Sequence, residues 1–432
     1  MAIISQKSLF VWTDEINALG DLERLLLVLE QLPDEALMQK LEARRGKGRN
    51  DYPIRAMWNL LVAGMVFGHT SDASLLRELR RNRQLVYVCG FEHGKIPDAP
   101  NLTRFRSLLL GHQNLIDGMF ETLSDILYGL EAEYGKELAI DSKWIESAAN
   151  RESKLRKKDG RSEGDARKGI KTYSGIREDG STWRKTDSCF GFKLHLLVDA
   201  KYELPVAYEL TDAAASDIVQ GRKLFNNLKK KRPTVLRRGR HIMADKGYDD
   251  TSFIEMMKEE EIRAVIDKRN MRKGDPERVV PGYQDAYYDE AGNVYCYGLD
   301  GGKKRTMVAN GYESGRDALR FKCPAMAYGA TCVDIDSCRC KHVRVPLSID
   351  PRVFTQVQRE SYKWKRLYRM RTAVERVNSR IDMVYGFESH RARGLGRVRL
   401  RVSLALSVML AVAVARYMLN QPELMRRLLL IS

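Results

Sequence analysis

Three acidic residues stand out by type and setting. Asp141 closes the short apolar run KELAID, Asp245 follows HIMA in HIMADKGYDD, and Glu375 lies within the basic stretch YRMRTAVERVNSR. Carboxylates are hard oxygen ligands. Two of them on adjacent strands, with a third from a later helix, can hold a pair of divalent ions about 4 Å apart. Such a pair activates an attacking oxygen at one ion and stabilises a leaving oxygen at the other. Mg2+, or Mn2+ in its place, suits the task because it keeps water and phosphate oxygens among its ligands. An aspartate at a strand end before a turn is common, so the third acid decides more. Between Arg359 and Arg380 there are eight Lys or Arg residues against only Glu360 and Glu375. Ordinary ion pairing on a helix surface would give a more even mixture of signs. One acid among many cations fits a metal ligand surrounded by groups that grip a phosphate backbone. On a continuous helix Tyr368, Arg371 and Glu375 share one face.

The flanking patterns suggest the elements that must position these acids. Residues 1–135 read as helical, with apolar residues at three- and four-residue spacing in DLERLLLVLEQL, DEALMQKLEARR and the segments up to Leu130. Arg77, Arg80, Arg81 and Arg83 could form a DNA-facing side of this N-terminal unit. Strand chemistry begins at KELAID. Residues 151–186 are polar and rich in Gly, Lys and Arg, which predicts a flexible loop. FGFKLHLLVDA and PVAYELTDA around KYELP predict an antiparallel hairpin. SDIVQGRKLFNNLKKK predicts a helix capped by Ser216, and HIMADKG, DTSFIEMMKEE and IRAVIDKR complete an α/β unit spanning 136–269. Residues 270–350, rich in Gly, Tyr and Cys, predict a β-rich insertion. Helices resume over 351–432, where VSLALSVMLAVAVA (402–415) is short for a membrane span and predicts a buried helix.

Composition narrows the partner. The 432 residues include 74 Lys and Arg against 57 Asp and Glu, a formal net charge of +17, which favours a polyanion. Hydrophobic residues at 44% and aromatics at 8% describe a globular chain and exclude a disordered one. The N-terminus shows no basic-apolar leader. The seven cysteines, an odd number, predict a reducing cytoplasm. A glycosidase with paired carboxylates would explain neither the charge nor the basic helix.

With these motifs in place the chain resembles the DDE transposases of bacterial insertion sequences, in the branch with a Tyr-x2-Arg-x3-Glu-x6-Lys signature. Tyr368, Arg371 and Glu375 fit that spacing, and ADKGYD (244–249) matches the motif around the second aspartate. TDSCFGFKLHLLVDA, SRIDMVYGFESHRARG and the N-terminal stretch from LPDEALMQKLEARRGKGRNDYP to LLRELRRN extend the likeness over most of the chain. One departure is Asp382, which stands where the signature has its final lysine; Arg376 or Arg380 would have to substitute for it.

The resemblance implies an RNase H-like fold, a mixed five-stranded sheet with flanking helices. Asp141 would lie on the first strand, Asp245 on the adjacent fourth and Glu375 on a late helix. It also implies nicking at the element's ends and attack of the freed 3′-hydroxyl on target DNA, using one metal pair and no covalent protein–DNA intermediate. Double-stranded DNA is the implied partner, with a homodimer or larger assembly to bring two ends together. Tyr368, Arg371, Arg376, Arg380, Lys193 and Lys246 are the candidate DNA contacts. Two other readings stay open: a transposase-derived repressor that binds ends without cutting, and an RNase H-like nuclease that cleaves without joining.

Further residues have weaker patterns. Cys323, Cys332, Cys338 and Cys340, with Cys296 and His342 nearby, could hold a structural zinc, although their spacing lacks paired CxxC knuckles. Asp199 and Asp212 rival the two aspartates, and turn capping accounts for both. His195 and the basic runs KKKRP, RRGRH and RARGLGRVRLR read as structural or solvated. Trp364 reads as core.

Overall fold

The computed structural model describes residues 20–45, 51–92, 95–150, 162–177, 179, 181–269, 277–297, 304–332, 335–336, 338–359 and 361–427. Seven helices come first among these: α1 Leu22–Gln31, α2 Glu35–Ala43, α3 Ile54–Val66, α4 Asp72–Arg81, α5 Arg83–Cys89, α6 Ala99–Leu110 and α7 Gln113–Leu130. Their starts are capped where the sequence supplies an acceptor: Ser71, Asn82 and Asp98 accept from the backbone N–H three residues on. Arg77, Arg80, Arg81 and Arg83 are all exposed.

The central sheet contains β1 Glu137–Glu146, β2 Arg167–Ile176, β3 Thr182–Asp199, β4 Leu204–Asp212, β5 His241–Ala244 and β6 Arg263–Ile266. β4, β3 and β1 run antiparallel, and β1, β5 and β6 run parallel, so these five make the expected mixed sheet. The fold is a mixed α/β architecture of RNase H-like type. β2 is a sixth strand on the first half of β3. It lies where a flexible loop was expected, because cross-strand pairing can stabilise a strand with few aliphatic residues. Helices α8 Asp217–Lys231, α9 Pro233–Arg238 and α10 Thr251–Glu259 connect the strands.

The insertion follows. β7 Arg278–Val279, β8 Ala286–Tyr288, β9 Val294–Cys296 and β10 Arg305–Thr306 form one sheet. A second contains β11 Val308–Glu313, β12 Ala318–Lys322 and, after the short α11 Pro324–Tyr328, β13 His342–Pro346. They share their own apolar core, including Val280, Phe321, Val343 and Phe354, apart from the main one.

The chain ends in α12 Tyr362–Arg369, α13 Thr372–Met383 and α14 Leu395–Met418. α14 is apolar on nearly every side and is buried along most of its length. It touches α1, α3 and α7 of the N-terminal unit as well as β4, so N-terminal helices and sheet share one continuous core. Length and composition alone would allow it to cross a membrane, but 94% of its most apolar window is covered by this protein. The basic run leading into α14 divides accordingly. Arg391, Arg393 and Arg397 are exposed, whereas Arg399 pairs with Asp117 at 2.8 Å and the buried Arg401 donates to the Tyr385 carbonyl at 2.5 Å.

Candidate active site

Asp141 and Asp245 meet where the parallel pairing of β1 with β5 stops. The last registered partners are Ile140 and Ala244, and each acid is the next residue along the chain. Asp141 does not end β1, which continues to Glu146 against β3; it stands one residue past the pairing with β5, its side chain 20% exposed. Asp245 turns the chain into the short 3-10 segment Lys246–Tyr248 and accepts from Gly247 N–H at 2.8 Å. The closeness of the two carboxylates has an electrostatic cost. Burial, followed by the charge of Asp245, pushes Asp141 up to about 6, against the opposing Ser142 N–H, Lys171 and Arg371.

Glu375 comes from above this edge. The basic stretch is two helices rather than one: α12 ends at Arg369, and Arg371 is the N-cap of α13. The joint is tightened by i to i−3 bonds, Arg371 N–H to the Tyr368 carbonyl at 3.0 Å and Ala373 N–H to the Met370 carbonyl at 3.0 Å. Tyr368, Arg371 and Glu375 nevertheless stay together. Arg371 sits 5.7 Å from the Tyr368 ring centroid and holds Glu375 at 2.8 Å, with its other terminal nitrogen 4.0 Å from Asp141. Burial lowers the Arg371 pKa, and Glu375, Tyr368 and Asp141 together outweigh it, leaving the guanidinium more firmly charged. Tyr368 in turn stacks on the buried Trp364 with centroids 4.7 Å apart. A guanidinium therefore lies between the first and third acids. Among the described residues no three His, Cys, Asp or Glu side chains are gathered so as to hold a metal ion.

The other candidate contacts are placed unequally. Lys246 is exposed beside Asp245. Arg376 reaches Glu203 at 2.6 Å. Arg380 is drawn into the fold, bonding the carbonyls of Glu203 and Arg426. Lys193 is buried on the opposite face of the sheet, donating to Asp217 at 3.0 Å and to the Ala215 carbonyl at 2.7 Å. Asp382, at the signature's lysine position, pairs with Lys143 of β1 at 2.5 Å.

A second charged cluster lies behind Asp141 and was not read from the sequence. Asp217, the first residue of α8, accepts from the Ser142 hydroxyl at 2.8 Å and pairs with Lys171 of β2 at 3.4 Å as well as with Lys193. The Tyr248 ring is buried beside it. Gly221 is required there, since a Cβ would come within 2.9 Å of that ring. The sequence pattern marks Asp217 as part of a helix start and Lys171 as part of a loop. Pairing across β2 and β3 brings them together, and no local spacing encodes that.

Asp199 and Asp212 cap turns. Asp199 accepts from the N–H groups of Gly135, Lys201 and Tyr202, and Asp212 from Ala214. His195 is buried with Nε2 3.1 Å from the Thr211 hydroxyl, and burial pulls its pKa down to about 4. In the insertion, burial pushes the Cys296 thiol up to about 11, with Cys323, Cys338 and Cys332 adding to the effect. Cys323 N–H bonds the Lys341 carbonyl at 3.0 Å, and Cys340 N–H bonds the Cys338 sulfur at 3.2 Å.

Comparison with known families agrees with this geometry. A family model described as Transposase DDE domain matches residues 137–410, from the first residue of β1 to well inside α14. A second, described as Transposase domain (DUF772), matches residues 14–108 in the helical N-terminal part. No curated protein matches. DDE domains of this kind generally use divalent metal ions and act on DNA, and the first match covers more than half of the sequence. The chain belongs to the DDE transposases of insertion-sequence type.

Proposed function

We propose that this protein cleaves the ends of its own genetic element and joins the freed 3′-hydroxyls to target DNA, with Asp141, Asp245 and Glu375 as the catalytic acids. The observation that carries the proposal is the apposition of Asp141 and Asp245 at the end of β5, below Glu375 and Arg371.

The chemistry of the donors suits divalent cations, while Arg371 stands between Asp141 and Glu375 in this conformation and would have to give way to an ion shared by the three. The donor set consists of carboxylate oxygens, and the elevated Asp141 pKa reflects burial and a neighbouring negative charge that a cation would offset. Asp141, Asp245 and Glu375 would hold Mg2+ or Mn2+, which when bound supplies Lewis-acid activation of the attacking oxygen and stabilisation of the leaving one. The remaining roles belong to side chains. Arg371 and the exposed Lys246 can receive phosphate oxygens next to the acids. Tyr368, clamped by Trp364, fixes the position of Arg371. Lys143 brings a cation to the place where the signature branch has its lysine, anchored by Asp382 from α13.

The test uses the full chain with duplexes carrying the element's ends and a target plasmid. Wild-type protein should nick and join in Mg2+ or Mn2+, and Glu375→Gln should bind ends normally without cutting. Binding without cleavage by wild type in either metal would favour the repressor reading. Cleavage without joining would favour the nuclease reading.

A further inference from the structure

A two-stranded blade leaves the catalytic sheet close to the acids. β3 is enclosed by β1 and β4 from Phe192 to Asp199. From Thr182 to Cys189, among the described residues, it pairs only with Ile176 to Gly169 of β2. Eight residues of strand correspond to about 26 Å of projecting ribbon.

Its root is fixed. A Cβ at Gly169 would lie 2.2 Å from the Ala213 carbonyl oxygen and 2.9 Å from Trp144 Nε1, so only glycine permits this close crossing. Just before β2, Glu163 accepts from Gly394 N–H at 2.6 Å and Asp165 from Leu395 N–H at 3.2 Å, tying the root to the start of α14.

Beyond Lys171, which pairs back to Asp217, the blade is open on both faces. A bare two-stranded ribbon is only marginally stable in water, yet this one exposes Ile170 (61%), Tyr173 (44%) and Trp183 (37%). Lys168 at the root and Arg177, Arg184 and Lys185 further out are exposed as well. Residues 167–190 contain six Lys or Arg against three acids, a balance that suits a polyanion. The register also sets which way the blade faces. Leu196 lies opposite Asp141 and Leu194 opposite Lys143, so the even-numbered residues of β3 carry the acid-bearing face outward to Arg184, with Lys168 opposite Phe190.

We propose that this ribbon is a DNA-binding element that lies in a groove of the element-end duplex, inward of the scissile phosphate; the inference rests on the DNA-cleaving reading above. The major groove is wide enough for a two-stranded ribbon. Lys168 and Arg184 meet phosphates and the hydroxyls of Thr172, Thr186 and Ser188 on the same face add neutral donors, while Tyr173 and Trp183 project from the other face. Measured along β3 from Leu196, the blade covers roughly 25–45 Å, equivalent to about 7–13 base pairs from the cleavage point.

The experiment measures binding of full-length protein to an end duplex and to an unrelated duplex across a salt series, together with a hydroxyl-radical footprint. The variants are K168E/R184E and the milder K168Q/R184Q. Both should keep the wild-type melting temperature. The charge reversal should weaken end binding at least tenfold and reduce the salt slope by about 2. The milder pair should show the same changes to a smaller degree, and in both variants protection should disappear about 7–13 base pairs from the cut while persisting next to it. Unchanged affinity, slope and footprint would overturn the ribbon proposal alone, provided wild type still binds and cuts. A sedimentation change without DNA and no change in DNA binding would overturn it in favour of a contact between copies. If wild-type protein bound no end duplex at all, the reading on which the proposal rests would fail with it.

Discussion

Lys143, two residues beyond Asp141 on β1, forms a 2.5 Å ion pair with Asp382, seven residues beyond Glu375 on α13. Both side chains are mostly covered, at 17% and 20% exposure. The pair therefore joins the strand that carries one acid to the helix that carries another. At this contact the cation comes from the strand and the anion from the helix.

A double-mutant cycle tests this charge exchange. Asp382→Lys alone places two ammonium groups together and should cost about 1–3 kcal/mol in urea unfolding, given the partial burial. Lys143→Asp alone should cost a similar amount. The double exchange K143D/D382K should recover most of the loss. Additive single and double effects would show that the two residues do not stabilise each other.

Lys193 should act through stability rather than affinity. Its ammonium is buried against Asp217 and the Ala215 carbonyl, so Lys193→Met leaves a carboxylate with fewer partners. We expect a loss of roughly 2–4 kcal/mol on denaturation and an unchanged salt slope for DNA binding. A slope lower by about 1 with full stability would instead make Lys193 a phosphate contact.

His195 provides a pH test of the fold. Burial lowers its pKa from 6.5 to about 4. A histidine that is harder to protonate when folded binds more protons in the unfolded chain, so its stabilising effect is complete above pH 6.5 and is lost as pH falls toward 4. The loss should be of order 3 kcal/mol. Asp199, raised to about 6 by burial, works in the opposite direction over part of this range. The informative quantity is therefore the difference between wild type and His195→Gln, which should shrink on acidification. A constant difference from pH 7 to pH 4 would show that His195 is not held neutral.

Much of this arrangement was legible in the sequence because it is local. KELAID and HIMADKG are short apolar runs with an acid at a fixed place, and parallel pairing of such strands brings those acids to one edge. Tyr368, Arg371 and Glu375 follow helical spacing, and they stay adjacent even though α12 and α13 break between them. The illegible parts depend on pairing between distant segments. β2 is polar and glycine-rich, and only its register with β3 makes it a strand. Asp217, Ser142, Lys171 and Lys193 come from four elements, so nothing in their spacing announces the cluster. Arg380 looked like a free cation on a basic helix, but it turns inward to backbone carbonyls that lie far away in sequence.

If Asp141, Asp245 and Glu375 act as one unit, single-turnover cleavage of end DNA, at saturating protein, with D141N, D245N, E375Q and the triple variant will show it. Residues that serve one chemical step are strongly non-additive. Each single substitution should slow cleavage by about a thousandfold or more, and the triple variant should be no slower than the slowest single. A Glu375→Gln enzyme within tenfold of wild type, or losses that multiply in the triple variant, would contradict the account.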